Sequence, residues 1–229
     1  MEANRTSAGD GPAPRGDATR DALLATAIDV FGQVGFHAAS TRAIARQASV
    51  NQALIAYHFR NKEGLYLAAF AHMAARIKER IGPVAEAVRA DLALDDAAGR
   101  DRHLASLCRM TDALAALLAG EESAPWARLI IREQQSPGPA FDVIFDGVMR
   151  PVSQVMIDLV SRLDPDGRAG DPRLVVATVI GQILMFRMAR AAAMRVMGWT
   201  AVGATEISQI QGQVRQNLSA LFPTSGERS

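Results

Sequence analysis

From Thr19 onward, apolar residues return at the spacing of a helix. Leu24, Ala27, Ile28 and Phe31 hold the i, i+3, i+4 and i+7 positions of one face, and the pattern stops near Gly35. Ser40 has the chemistry of an N-cap for a short helix running to about Ala48 and burying Ala43, Ile44 and Ala48. Asn51 is the next N-cap candidate. Val50 before it and Ile55 at the fourth helical position predict a hydrophobic staple, in a helix that ends near His58. Asn61 caps a fourth helix whose apolar face carries Leu65, Ala69, Met73 and Ile77. Beyond residue 81 the period stays helical, with breaks at Gly99, at Gly120, at Ser136-Pro137-Gly138-Pro139, from Asp164 to Asp171 and from Gly198 to Gly203. Pro83 and Pro151 fall inside helical stretches, and each predicts a kink or a helix start. No segment alternates with period two between turn signals, so the chain predicts an all-α fold.

The same pattern divides the chain. Residues 1–18, rich in Gly, Pro, Ala and Asp and without apolar period, predict a disordered arm. Residues 19–66 form a small helical domain whose fourth helix continues to about residue 81, and residues 82–229 form a larger helical domain.

Composition narrows the class of protein. With 229 residues, 49% of them hydrophobic, and a net charge of +1, the chain has enough apolar surface for a sizeable core and too little charge for a disordered one. The single cysteine, Cys108, excludes an internal disulfide, and with four scattered histidines it leaves no set at zinc spacing; no metal or cofactor is expected. The longest apolar stretch, Leu174 to Phe186, is interrupted by Thr178 and Gln182 and stopped by Arg187. It falls short of the roughly 20 residues a bilayer needs and predicts a buried helix. Residues 1–18 lack the apolar stretch of a signal peptide, which makes the cytoplasm the expected location.

Charge is unevenly placed. Residues 19–80 hold eight basic side chains (Arg20, Arg42, Arg46, Arg60, Lys62, Arg76, Lys78, Arg80) against four acids (Asp21, Asp29, Glu63, Glu79), whereas residues 81–229 carry a small acidic excess. The local basic excess fits a unit that meets a polyanion, or a chance imbalance of the surface.

Two short helices, Ser40 to Ala48 and Asn51 to His58, joined at Ser49-Val50 and preceded by a longer amphipathic helix, give the outline of a helix-turn-helix. In that motif the second short helix enters the major groove of DNA. Asn51, Gln52, Ala53 and Leu54 at its start would face base edges, the amides matching adenine and the apolar side chains a thymine methyl. Thr41 at the start of the first short helix, with Arg42 beside it, and Tyr57, His58 and Lys62 would reach phosphates, helped by the exposed N–H groups of the helix N-termini. Each has a plainer reading. Asn51 serves equally as an N-cap, Tyr57 and His58 as cover for a small core, and Lys62 as a solvated surface lysine.

The stretch Thr41-Arg-Ala-Ile-Ala-Arg-Gln-Ala-Ser-Val-Asn-Gln-Ala-Leu-Ile-Ala-Tyr-His-Phe-Arg-Asn-Lys-Glu-Gly-Leu65 resembles the DNA-binding segment of the tetracycline-repressor (TetR) family, with its T-x-x-x-I-A, A-G-V-S, Y-x-H/Y-F and K-E-x-L elements. The resemblance covers residues 19 to about 66. It departs from the pattern at Ser49, where the turn usually has Gly, at Asn51 in place of Ser, and at Ala56 in place of Tyr or Asn. It implies backbone contacts for Thr41, Tyr57, His58 and Lys62 and makes Gln52 and Ala53 the leading base readers. Farther along, Arg132-Glu-Gln-Gln-Ser-Pro-Gly-Pro-Ala-Phe141 resembles the R-E-Q-x-x-P-x-x-A-F element of the CecR-type branch.

That family implies a homodimeric, ligand-responsive regulator of transcription, by habit a repressor acting on operator DNA. Its C-terminal helices bind a small effector, and the last two long ones, here Pro172 to Met197 and Ala204 to Leu221, form the dimer. The candidate effector pocket draws on Cys108, Trp126, Phe141, Phe145, Met149, Met185 and Met188, residue types that at helical spacing are core more often than ligand lining. Arg128 and Arg132 share a helical face and would pair either with a carboxylate ligand or with Glu133 and the next helix. An all-α enzyme finds no support, since the sequence has no G-x-x-x-x-G-K-[ST], G-x-G-x-x-G, H-E-x-x-H or G-x-S-x-G. A helical adaptor that binds only proteins is separated from a regulator by the steep salt dependence of DNA binding.

Overall fold

The computed structural model describes residues 15–94 and 99–223; residues 1–14 of the expected arm lie outside the described residues. Every regular element among them is helical, as the sequence pattern requires. The chain divides into two compact units, Met1–Ala69 and Phe70–Ser229, with the division inside a single helix.

In the first unit, α1 (Arg15–Ala38) begins four residues earlier than the apolar period suggests, and Asp17 in its first turn meets the positive end of the helix dipole. Its helical geometry breaks at Gly35, with φ 82° and ψ 168°, a backbone conformation open to a residue without a Cβ. Then come α2 (Thr41–Gln47), α3 (Ala53–Phe59) and the start of α4 (Lys62–Leu92). The core holds Leu24, Ala27, Ile28 and Phe31 of α1, Ile55 and Phe59 of α3, and Leu65 of α4, all buried. On α2 the buried pair is Ile44 and Ala45, and the expected Ala43 and Ala48 are half-buried. The Ser40 cap starts the helix so that positions 44 and 45 turn inward.

Helix α4 outruns the sequence reading, which stopped it near residue 81. Ile81, Ala85 and Val88 continue its buried stripe to Leu92. Pro83 sits inside it on the exposed side, where its missing N–H removes one backbone hydrogen bond without ending the helix.

The second unit continues with α5 (Gly99–Ala119), α6 (Ala124–Gln135), α7 (Pro139–Ile144), α8 (Arg150–Leu163), α9 (Pro172–Met188), α10 (Arg190–Met197) and α11 (Ala204–Leu221). Helix α5 is central, packed by α8, α9 and α11, and buries Leu104, Leu107, Met110, Leu114, Ala115 and Leu117. The apolar segment Leu174 to Phe186 is one-sided within this chain. Val175, Val176, Val179 and Ile183 of α9 are buried, while Leu174, Met185 and Met188 stand exposed.

The helix expected over Pro172 to Met197 is in fact two, bent by 87° at Ala189. Two arginines at the bend explain it. Arg187 donates from Nε to the Leu118 carbonyl at 2.6 Å, and from Nη2 to the Gly120 carbonyl and to Ser123 Oγ. Arg190 donates to the Ala119 carbonyl at 3.4 Å and pairs with Glu121. They serve carbonyl groups at the C-terminal end of α5 that have no partner within the helix. Burial, and then the neighbouring Arg190 charge, pull the Arg187 pKa below its ordinary value. Across the bend, Phe186 of α9 stacks on Trp199 with centroids 5.9 Å apart. Among the described residues no single helix is long and apolar enough to cross a membrane.

Pro151 behaves as the sequence predicts, at the start of a helix. It lies in the first turn of α8, immediately after a π turn over Phe145–Met149 in which the Arg150 N–H bonds the Phe145 carbonyl. With no N–H at 151, the ladder has no α-type bond to make there and widens just before it.

Replacing Arg187 with Met keeps the apolar stem and strips the α5 end of its donor. The expected loss is about 1–3 kcal/mol, read as a drop of several degrees in the thermal midpoint followed by circular dichroism. An unchanged midpoint would show that water serves those carbonyls equally well.

Candidate nucleic-acid interface

The two helices of the motif are seven residues each and are held by their ends. Ser40, in extended conformation, accepts the Ala43 N–H on Oγ at 3.1 Å and starts α2. At the other end the Val50 N–H reaches the Ala45 carbonyl (3.0 Å) and the Ser49 N–H the Arg46 carbonyl (3.1 Å), the paired bonds of a Schellman motif. That motif needs a left-handed residue at its turn, and Ser49 supplies it with φ 56° where the family pattern has Gly. Asn51 then caps α3, accepting the Ala53 N–H on Oδ1 at 2.8 Å. Its carboxamide oxygen is thus occupied, and the helix it starts runs one residue past His58, to Phe59.

On α3, Ile55 and Phe59 face the core, whereas Gln52, Ala53, Ala56, Tyr57 and Arg60 are exposed at the spacing of one helical stripe. Tyr57 is 80% exposed and meets the half-buried His58 edge-on at 4.9 Å. Leu54 is also half-buried. Gln52 donates from Nε2 to Thr41 Oγ1 at 3.2 Å, joining the start of α3 to the start of α2.

After α3 the chain turns sharply. Arg60 takes φ 69°, the Asn61 N–H bonds the Phe59 carbonyl at 2.9 Å, and Asn61 Oδ1 accepts the Gly64 N–H at 2.7 Å to start α4. A Cβ at position 64 would lie 2.0 Å from the Phe59 carbonyl oxygen, so the turn closes only over Gly. Lys62, read from the sequence as a phosphate contact or a solvated surface lysine, is half-buried and bonded within the unit. Its Nζ donates to the Ala39 carbonyl at 2.9 Å and the His37 carbonyl at 3.3 Å, and lies 4.5 Å from the centre of the Phe36 ring.

Two open clefts flank the motif. One, of about 670 Å³, has Arg42, Arg46 and Val50 in its wall; the other, of about 440 Å³, has Thr41, Ala56, Arg60 and Lys62; Ser40 and Gln52 line both. All four ionised side chains in these walls are cationic. Arg46 and Arg60, counted in the basic excess but not among the candidate DNA contacts, belong to these walls. Arg46 follows Arg42 by one helical turn, and Arg60 continues the Gln52 and Ala56 row, so helical spacing alone carried the signal.

A cavity in the second unit, about 320 Å³, is lined by residues of α4, the π turn and α8; Cys108, Trp126, Arg128, Phe141, Phe145, Met149, Met185 and Met188 are not among them. Phe141 and Phe145 stack at 5.6 Å, and Met149 closes the same π turn. Trp126 lies under Arg80, 5.5 Å from its guanidinium. Arg128 is exposed. Met185 and Met188 face outward from α9, because the inward side of that helix is already filled by Val175, Val176, Val179 and Ile183. Burial, then the Asp112 carboxylate, push the Cys108 thiol up, which leaves it a poor nucleophile. The Arg132 to Phe141 element forms the elbow between α6 and α7. Glu133 Oε1 accepts the Gly138 N–H at 3.1 Å, and Ala140 is buried behind it. Among the described residues no group of three His, Cys, Asp or Glu side chains is placed to hold a metal ion.

Comparison with known proteins agrees with this geometry. Residues 23–69 match the family model described as bacterial regulatory proteins of the tetR family, and residues 104–223 match that of the HTH-type transcriptional dual regulator CecR, C-terminal domain. The CecR dual regulator of Shigella flexneri is 31% identical over 220 residues, covering 94% of this chain and 96% of that protein. The RutR regulator of Escherichia coli strain K12 is 41% identical over 51 residues, 22% of this chain and 24% of its own. Among solved structures, a TetR-family regulator from Mesorhizobium loti has the same fold with a TM-score of 0.61 at 18% identity, covering 91% of this chain and 96% of its own. AibR, solved with isovaleryl coenzyme A and operator DNA, has it with a TM-score of 0.64 at 17% identity, covering 90% and 98%. The chain belongs to the TetR family of DNA-binding transcriptional regulators, in its CecR-type branch, and is not an enzyme.

Two outcomes follow from the turn chemistry. A left-handed residue other than Gly costs roughly 1–2 kcal/mol and the extra freedom of an unfolded Gly roughly 0.5–1, so Ser49→Gly should stabilise the unit by about 0.5–1 kcal/mol in a urea titration; a lower midpoint would refute the strain at Ser49. Lys62→Ala takes the donor from two carbonyls and should lower stability by about 1–2 kcal/mol, with faster amide exchange over residues 36–39. Unchanged stability and exchange would return Lys62 to the solvated surface.

Proposed function

We propose that this chain is a homodimeric repressor that holds a near-palindromic operator in the cytoplasm and is released from it by a small-molecule effector. The observation that carries the DNA contact is the pair of clefts around α2 and α3, whose ionised wall residues are Arg42, Arg46, Arg60 and Lys62. On this reading Gln52 and Ala53, flanked by Asn51 and Leu54, meet base edges in the major groove. Thr41, Arg42, Tyr57, His58 and Lys62 meet phosphates, the Lys62 ammonium holding the turn beneath them as well.

Support for dimerisation comes from the outward face of α9. Leu174, Met185 and Met188 are 64%, 49% and 62% exposed, with Val196 and Met197 of α10 and Leu221 of α11 exposed as well. Apolar surface of this extent on a regulator is the kind a second copy covers. Two copies place two reading helices on half-sites a turn of DNA apart, about 34–36 Å, or a multiple of it. Support for an effector comes from the cavity on α4, whose wall combines the apolar Ile77, Ile81 and Val152 with the polar Lys78, Glu86 and Arg89.

The experiment uses the full chain and its Leu174→Arg variant, with operator DNA selected from a random library. Wild type should sediment as a dimer at micromolar concentration and lose affinity steeply with salt, and a promoter carrying the operator should be transcribed more when the gene is deleted. Because Leu174 is exposed in the single chain, Leu174→Arg should give a folded monomer with weak operator binding. A monomeric wild type refutes the dimer, salt-independent binding refutes the phosphate contacts, and a fall in transcription on deletion makes the chain an activator at that promoter.

A further inference from the structure

The hydrogen bond between Gln52 and Thr41 connects a residue read as a base contact to one read as a backbone contact. Neither side chain is needed to complete its own helix. Ser40 caps α2, so the Thr41 hydroxyl is not consumed at the helix start, and Asn51 caps α3, so the Gln52 amide is not consumed there either. Gln52 is exposed and Thr41 half-buried, and Gln52 lies in the walls of both cationic clefts. A free glutamine on a surface samples many rotamers, and part of that freedom must be lost when it docks on a base. Here one amide N–H is already held, 3.2 Å from Thr41 Oγ1.

The polarity of the bond matters. A threonine hydroxyl has one hydrogen to give and two lone pairs to accept with. Because Thr41 accepts from Gln52, its own hydrogen stays available to a phosphate oxygen. The side-chain amide keeps its carbonyl oxygen and a second N–H for the base, the acceptor and donor that adenine N6 and N7 require. Through the adenine N6–H bond to the Gln52 carbonyl oxygen, the order base, Gln52, Thr41, phosphate is a chain of hydrogen bonds running in one direction, with the N–H to N7 as a side branch, and such chains reinforce their members.

We propose that Thr41 is a specificity-determining positioning residue, whose hydroxyl holds the Gln52 amide in its reading pose so that base discrimination at that position depends on Thr41. This rests on the reading of Gln52 as a base contact. A threonine that only touched phosphate would change affinity for every sequence alike.

The test measures competition binding of the full chain to its selected operator and to single base-pair variants of it. The proteins are wild type, Thr41→Val, Thr41→Ser, Gln52→Ala and the Thr41→Val/Gln52→Ala double variant, each checked for helix content and thermal midpoint. Wild type should discriminate by roughly 5- to 150-fold at one base pair, the range of a good bidentate contact, and Gln52→Ala should lose that preference. Thr41→Val, which keeps the side-chain shape, should fall to within about twofold of Gln52→Ala at that base pair, with no further loss in the double variant, and Thr41→Ser should restore at least half of the logarithm of the ratio. Thr41→Val binding that weakens equally on all sequences and keeps the wild-type ratio overturns the proposal while leaving Gln52 as a reader. If Gln52→Ala changes no ratio, the base reading of Gln52 is wrong and the positioning role falls with it. Should Thr41→Val unfold, Thr41→Ala takes its place in the same cycle, where a lost ratio supports the positioning role and a retained one overturns it.

Discussion

Hydrogen bonding of the backbone groups at helix ends governs this structure more than any single packing contact. The two helices of the DNA-binding motif are seven residues long, about half the length at which an isolated helix is even marginal in water. In so short a helix most N–H and C=O groups belong to an end. Ser40, Asn51 and Asn61 serve the starts, the backbone bonds through Ser49 close the end of α2, and Lys62 supplies the carbonyls of His37 and Ala39 behind α1. Each cap sets the direction in which the next helix leaves, so the placement of Gln52 and Tyr57 follows from the chemistry of Ser40, Ser49 and Asn51.

The second unit answers to the same constraint on a larger scale. Helix α5 is long and buried on most sides, so its C-terminal carbonyls cannot rely on solvent. Arg187 and Arg190 reach them from α9 and α10, and the chain bends between the two arginines. Near the start of α8 a missing donor has the opposite result. Pro151 has no N–H to offer, and the ladder before it widens into the π turn whose Asp146, Gly147 and Val148 line the cavity. An excess of donors makes a bend in one place, and a lack of one makes a bulge beside a cavity in the other.

Function draws on both kinds of end. The motif exposes a row of polar and cationic side chains because its core side is complete with Ile44, Ala45, Ile55 and Phe59, which leaves Arg42, Arg46, Gln52, Tyr57 and Arg60 no interior to enter. The cost of this economy is strain at Ser49 and Arg60, both at positive φ, and a turn that admits only Gly at position 64. The lysine one would assign to phosphate by its charge is held beneath the turn, where its ammonium links Phe36, His37 and Ala39.

Much of the architecture was legible in the order of residues, because apolar period, N-cap chemistry and Gly or Pro breaks are local properties read over a few positions. Helices α1 to α4, the breaks at Gly120, at Ser136 to Pro139 and at Gly198, and the family itself could be recognised this way. What required tertiary structure depends on partners distant in the chain. Nothing within a few residues of Lys62 marks it as bonded to Ala39, nothing near Ala189 announces an 87° bend set by the end of a helix some seventy residues earlier, and nothing in the spacing of Gln52 shows it joined to Thr41. The effector candidates carry the same ambiguity. A methionine on α9 looks the same in sequence whether it faces a cavity, a core or a second copy, and only the packing of α5 against Val175, Val176, Val179 and Ile183 turned Met185 and Met188 outward. The sequence alone determined where most helices start and what their ends demand; the tertiary structure decided where α9 breaks into α10 and which distant donor meets each demand, since a hydrogen bond is satisfied by proximity in space and not by position along the chain.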